Sequence, residues 1–283
     1  MKFRTEVTID KPTFSIRPCE RMLFVGSCFA DNIGKRFKEE KFRATVNPYG
    51  VMYNPVSILH TVRRFAEESS RQTAGERLVV VFTLGTNHVY RLKETGEIVD
   101  NCQKRPQRLF QEEQLSIEQC CEALSEAVSV LKNIAKEVQV VVTVSPIRYA
   151  KYGFHGSQLS KATLLLAADK LCAERDCCTY FPAYEIVNDE LRDYRFYKED
   201  MLHPSEQAVA YIWERFSDIF FDKETHTFLE KWRPVKDALR HKPFNPEGEE
   251  YKLFMQRTYE RMRELQQLYP LLDVTEELGK QSC

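Results

Sequence analysis

Two short stretches of the chain carry side chains that could cleave an acyl bond. The first, Gly26-Ser27-Cys28-Phe29-Ala30, follows an apolar run and leads into a helical pattern bearing Phe29, Ile33 and Phe37. A hydroxyl or thiol placed there meets a helix N-terminus, whose N–H groups and positive dipole end stabilise an oxyanion and lower a thiol's pKa. Taken alone, the same residues also describe a plain serine cap followed by a small core thiol. The second, Asp200-Met201-Leu202-His203-Pro204, places an acid three residues before an imidazole in a tight turn. Such an acid fixes the ring tautomer and leaves the other nitrogen free to accept a proton from a nucleophile. The bland reading is a turn in which Asp200 caps the following helix.

Two glycine-bearing loops join them, Val46-Asn47-Pro48-Tyr49-Gly50-Val51 and Leu84-Gly85-Thr86-Asn87-His88. A glycine lets backbone approach a ligand closely, and an asparagine offers a neutral donor. Arg148 could bind a carboxylate or phosphate, or simply form an ion pair. Ser160-Lys161 has the residue types of a Ser-Lys dyad, but neighbours on a helix point different ways, so a helix cap followed by a solvated lysine is expected. His88 is expected to line the pocket. His60, His155, His226 and His241 show no ligand spacing, and the adjacent pairs Cys120-Cys121 and Cys177-Cys178 read as core.

The elements that position these residues follow from alternating patterns. Apolar runs at Met22–Val25, Phe42–Val46, Leu78–Leu84, Val138–Val144 and Cys178–Phe181 read as strands buried on both faces, as in a parallel sheet. Between them lie amphipathic helices, the clearest carrying Leu124, Ala127, Val128, Leu131, Ile134 and Ala135 after a Ser116-x-x-Gln119 capping box. Ser160–Arg175 and Ser205–Phe221 read as two more. Right-handed crossovers then give an open α/β sheet of about five parallel strands with helices on both sides. Ligands bind such sheets at the strands' carboxyl ends, and all four motifs fall there. Residues 1–222 form this domain. Residues 223–283 carry only helical patterns and read as a helical C-terminal extension packed on it. Tyr251, Phe254, Met255, Thr258, Tyr259, Met262, Leu265 and Leu268 share one face of its last long helix; a homodimer through these helices is the sharper reading.

The sequence resembles the GSCFA domain family, a branch of the SGNH (GDSL-like) hydrolases. Gly26-Ser27-Cys28-Phe29-Ala30 spells its name motif, and its other segments are matched by Asn47-Pro48-Tyr49-Gly50, Thr83-Leu84-Gly85-Thr86, Ser145-Pro146-Ile147-Arg148, Ser160-Lys161-Ala162 and Tyr194–Tyr197 leading to Asp200–Pro204. The resemblance implies a flavodoxin-like three-layer α/β/α fold. It also implies an esterase or deacetylase working through an acyl-enzyme on a small-molecule or glycan ester. In that reading Ser27 is the nucleophile, His203 the base, Asp200 its orienting acid, and Gly50 and Asn87 line the oxyanion hole. Two departures stand out: a gap-free match puts the superfamily's serine on Cys28, the alternative nucleophile, and His88 replaces its aspartate. An O-acyltransferase with the same triad, or a non-catalytic binding module on the same fold, are the rival expectations.

Composition narrows the setting. Lys and Arg number 41 against 42 Asp and Glu, a formal charge of -1, which argues against broad binding to nucleic acid or to an anionic membrane. No run approaches the ~20 apolar residues that span a bilayer, and the start lacks a signal-peptide core. Nine cysteines, an odd number without a CxxC, suit reduced thiols, so a cytoplasmic setting without metal or organic cofactor is expected.

Overall fold

A computed structural model describes residues 4–73 and 75–279. Eight strands and nine α-helices are assigned among them. Their order is β1 (Arg21–Gly26), α1 (Cys28–Glu39), β2 (Arg43–Val46), α2 (Pro55–Thr73), β3 (Arg77–Leu84), β4 (His88–Leu92), β5 (Ile98–Val99), β6 (Phe110–Gln114), α3 (Ile117–Lys132), β7 (Glu137–Val144), α4 (Gly153–Glu174), β8 (Cys178–Tyr180), α5 (Ala183–Glu185), α6 (Glu206–Phe220), α7 (Lys223–Arg240), α8 (Glu249–Leu268) and α9 (Thr275–Gly279).

The main sheet is five-stranded and parallel, in the order β2-β1-β3-β7-β8. Its strands are the five apolar runs. Both faces are covered, so successive residues of one strand enter different cores: Leu23 and Val25 pack with α2, α3 and α4, whereas Met22 and Phe24 pack with α1 and α6. This is the three-layer α/β/α arrangement, with the strand order reversing between β1 and β3. Phe37 of α1 centres the second core, with ring centroids of Trp213, Phe24 and Phe42 at 4.7, 5.0 and 5.0 Å. The capping box at Ser116 and Gln119 forms with both reciprocal bonds.

A second, three-stranded antiparallel sheet, β5-β4-β6, has no counterpart in the sequence reading. Its strands are half exposed and charged, with Arg91 paired to Glu113 across β4 and β6, so they lack the apolar run that marks a buried strand. After β8 only helices follow, and α7 to α9 build a third core from Phe228, Trp232, Val235, Met262, Leu265, Leu272 and Val274. Trp232 Nε1 donates to Glu39 O at the end of α1 (3.0 Å), and Lys236 pairs with Glu40. On α8, Thr258, Met262 and Leu265 are buried, while Phe254 and Leu268 are exposed. Among the described residues, no helix is long and apolar enough to cross a membrane, and no His, Cys, Asp and Glu cluster could hold a metal ion.

Candidate active site

The site lies at the carboxyl ends of β1, β3 and β7. β1 ends in Gly26, which adopts φ +145°, and a Cβ there would come within 2.2 Å of Thr83 O. Only glycine lets the two strand ends approach so closely. Asn47 clamps the turn: its Oδ1 accepts the Gly26 N–H at 2.9 Å and its Nδ2 donates to Asp31 Oδ1 at 2.7 Å. That clamp explains the asparagine of the Asn47-Pro48-Tyr49-Gly50 segment, a role its spacing did not reveal.

The next two residues divide the work between them. Ser27 is fully buried. Its Oγ accepts the Phe29 N–H at 3.2 Å, capping α1, and shares a 3.1 Å hydrogen bond with Thr83 Oγ1. Cys28, the first residue of α1, is only half-buried. Burial pushes its thiol pKa up, as does Asp31, while its own backbone N–H, Lys161 and Lys198 oppose the rise. Of the two neighbours, the Ser27 hydroxyl is buried and engaged in the cap, whereas the Cys28 thiol is half-buried.

Asp200 and His203 form the expected pair. Asp200 Oδ2 meets His203 Nδ1 at 2.6 Å, while Oδ1 accepts the N–H groups of Leu202 and His203 at 2.9 Å each. These hydrogen bonds to the carboxylate hold its pKa down at about 2. Asp200 thus supports the turn and the ring, and the cap of α6 falls to Ser205, whose Oγ accepts the Ala208 N–H. Lys198, whose N–H donates to His203 O, lines one surface hollow with Pro204 and with Asn32, Lys35 and Arg36 along α1. Arg148 anchors the turn from β7, its N–H bonding Leu202 O and its guanidinium Met201 O. The guanidinium also lies over Phe154, Tyr197 and Tyr194, so it serves as a fastener of the histidine turn.

The two residues expected to line an oxyanion hole each give an N–H to an acceptor within the fold. Gly50, at φ +95°, gives its N–H to Asn47 O. Asn87 is buried, with Nδ2 donating to Leu115 O and its backbone N–H to Ser160 Oγ. His88 starts β4, where it stacks on Tyr152 at 3.7 Å and lies 3.5 Å from Glu112; burial lowers its pKa.

Three residues near Cys28 went unnoticed or were misplaced in the sequence reading. Tyr53 O accepts the N–H groups of Gly85 and Thr86, and its ring packs edge-on against Tyr149. The Tyr149 hydroxyl is buried with no hydrogen-bond partner among the described residues. Tyr53 and Tyr149 both lie within electrostatic reach of Cys28. Lys161 is a correction: α4 begins at Gly153, so Ser160 is no cap, and Lys161 is buried rather than solvated. Its Nζ donates to Gly85 O and Ser145 O at 2.7 Å each. Lys161 is the only acidic or basic residue (Asp, Glu, Lys, Arg) between Lys151 and Asp169, and that isolation in the sequence is the signal that could have pointed to its burial.

Two profiles match the chain: that of the GSCFA family over residues 21–76 and 67–216, and that of the GSCFA domain protein C-terminal domain over 232–280. The chain belongs to the GSCFA family. A comparison with curated proteins finds no match. Solved structures with a similar chain course include a family 3 carbohydrate esterase of Clostridium thermocellum (11% identity, 78% of this chain and 100% of that one, TM-score 0.40). A catalytic mutant of an acetylxylan esterase from Geobacillus stearothermophilus matches at 12% identity over 74% of this chain and 98% of that one (TM-score 0.45). A GDSL-like lipase from Bacteroides thetaiotaomicron matches at 14% over 69% and 88% (TM-score 0.41).

Proposed function

We propose that the protein is an acyl-ester hydrolase in which Cys28 is the nucleophile and Asp200–His203 the proton-handling pair. Two observations support this reading: the 2.6 Å Asp200–His203 bond, and a half-buried thiol, Cys28, at the first position of α1. His203 Nε2 has no hydrogen bond to any described residue, which leaves it available to a proton. It takes the proton of Cys28 Sγ, and the thiolate adds to the ester carbonyl carbon as the carbonyl electron pair moves onto oxygen. Collapse breaks the bond to the alcohol, which leaves with the proton from His203. Water, deprotonated by His203, then hydrolyses the thioester.

Charge on the carbonyl oxygen falls to the Cys28 N–H at the α1 N-terminus and to the hydroxyl of Tyr149, which has no hydrogen-bond partner among the described residues, with the second Nδ2 hydrogen of Asn87 as a further donor. Ser27 holds the turn as the cap of α1. The substrate is an acyl ester of a small molecule or a glycan, as the resemblance to SGNH hydrolases implies.

Turnover of activated acetyl and butyryl esters by wild type, Cys28→Ala, Ser27→Ala and His203→Ala tests this. Loss in the Cys28 and His203 variants, with partial retention in Ser27→Ala, is expected. Activity surviving in Cys28→Ala would overturn the nucleophile. Transfer to a carbohydrate acceptor outpacing hydrolysis would replace hydrolase by acyltransferase, and no turnover of any ester would leave a binding module.

A further inference from the structure

Three large apolar side chains stand in water beside the proton-handling pair. Phe154, Tyr194 and Met201 are 53%, 67% and 44% exposed, and none belongs to the three cores of the described residues. One arginine gathers them. The Arg148 guanidinium lies 4.1 Å from the Phe154 ring and 6.0 Å from that of Tyr194, and it donates to Met201 O at 2.9 Å. Tyr197, 5.5 Å from the same cation and 6.4 Å from Tyr194, extends the stack. Single exposed apolar residues are ordinary on a surface, but three drawn from separate segments around one cation make a patch.

Met201 is the informative member. It stands between Asp200 and His203 at φ +57°, a left-handed conformation that glycine or asparagine adopts readily and a long side chain does not. The turn is held by other groups: Met201 N–H donates to Lys198 O, and the Leu202 and His203 N–H groups donate to Asp200 Oδ1. None of these bonds needs a methionine side chain. A strained residue whose side chain joins no core points to a contact with something outside the fold. An unbranched thioether moulds itself to apolar chains of varied shape.

We propose that Phe154, Tyr194 and Met201 form an acyl-chain platform, a surface beside the histidine turn on which the hydrocarbon tail of an ester longer than acetyl lies. This rests on the hydrolase reading, and on neither choice of nucleophile. The occupant follows from the surface. Arg148, at its centre, is covered by rings and bonded to backbone, so what the patch offers a ligand is carbon. Of the two halves of an ester, the acyl chain carries no polar group beyond its carbonyl. A small-molecule or glycan alcohol brings hydroxyls, which a carbon surface leaves unpaired. Continuity with the turn supplies the position, since Met201 lies inside the Asp200–His203 segment whose imidazole handles the proton.

The test measures kcat/KM of full-length wild type, Met201→Asn and Tyr194→Ala on para-nitrophenyl esters from acetyl to octanoyl, and on acetyl esters of para-nitrophenol, octanol and glucose. On an open platform each added methylene loses water on one side, worth about twofold, so octanoyl should exceed acetyl by ~60-fold in wild type. Met201→Asn should cut that ratio about fourfold, the share of one wall in three, with the change in KM. Its Tm should be no lower than that of wild type, because asparagine suits the left-handed position, and a purely structural methionine would not separate the two readouts. Tyr194→Ala, on the most exposed ring of the patch, should lower the ratio similarly and keeps the test open if Met201→Asn does not fold. An unchanged octanoyl-to-acetyl ratio in the folded variants overturns the proposal. So does a loss confined to the alcohol series, which would make the patch a seat for the leaving group. Calorimetric binding of N-methyloctanamide, compared with N-methylacetamide, reads the platform without ester chemistry and should weaken in Met201→Asn. Such binding without turnover of any ester would refute the hydrolase reading alone, and turnover without chain-length dependence would refute the platform alone.

Discussion

Lys161→Met should change how stability depends on pH, by an amount the structure sets. In the folded chain, burial lowers the Lys161 pKa from its ordinary 10.5 to about 7. The unfolded chain therefore binds a proton at this side chain that the folded chain gives up between those values. Stability must rise with pH across that window, because the state that holds more protons loses its advantage as protons become scarce. At about 1.4 kcal/mol for each pH unit, the full penalty below pH 7 is about 5 kcal/mol, an upper bound given the two carbonyl bonds Nζ keeps. Between pH 7 and pH 9 the wild type should gain about 2 kcal/mol relative to Lys161→Met. Comparing the two proteins cancels most other titrations, including those of buried Cys19 and Cys120, whose pKa values burial raises to about 12. Urea denaturation at pH 6, 7, 8 and 9, with midpoint and slope fitted at each, measures the difference. A wild-type-minus-variant difference that stays flat across this range would refute the buried, depressed lysine.

Tyr149→Phe should lower kcat about 10²-fold or more, as losing one oxyanion donor does, with little change in Tm because the hydroxyl has no hydrogen-bond partner among the described residues; steady-state kinetics beside a thermal melt check both halves. Gly26→Ala should cost upwards of about 3 kcal/mol and remove activity, since the new Cβ would lie 2.2 Å from Thr83 O and φ is +145°; chemical denaturation reads it. Asp200→Asn should lower kcat by about 10²-fold or more with an unchanged far-UV spectrum. The acid limb of the wild-type profile should not track Asp200, whose pKa of about 2 keeps it ionised throughout. Trp232→Ala should cost about 3–5 kcal/mol, because the indole is buried and bonds Glu39 O; a urea titration measures it.

What the sequence made legible was the main sheet and its two-sided core. Val79, Val81 and Val141 face one layer of helices and Val80, Val140 and Val142 the other, so the runs had to be apolar throughout and were visible as such. The antiparallel sheet was not, because Tyr90, Arg91, Glu112 and Glu113 pair across an exposed ribbon with no apolar stripe. Asp200 and His203 were legible because their bond is local, three residues apart. Ser27 against Cys28 was not decidable from spacing, since which of two adjacent residues caps α1 depends on Thr83 and Phe29. Nor could spacing reveal where Gly50 and Asn87 send their donors, to Asn47 O and Leu115 O. What Lys161 bonds to was hidden for a related reason. Its partners, Gly85 O and Ser145 O, are backbone atoms 76 and 16 residues away, and α4 begins earlier than the serine pattern suggested.

The central claim is that Cys28 carries the acyl group, activated by His203. Rapid mixing of the full chain with an activated acetyl ester, acid quench and peptide mass mapping tests it most directly. The account predicts a single acetyl group on Cys28, forming at least tenfold more slowly in His203→Ala. Acetyl on Ser27, or labelling of Cys28 at the same rate with and without His203, would contradict it.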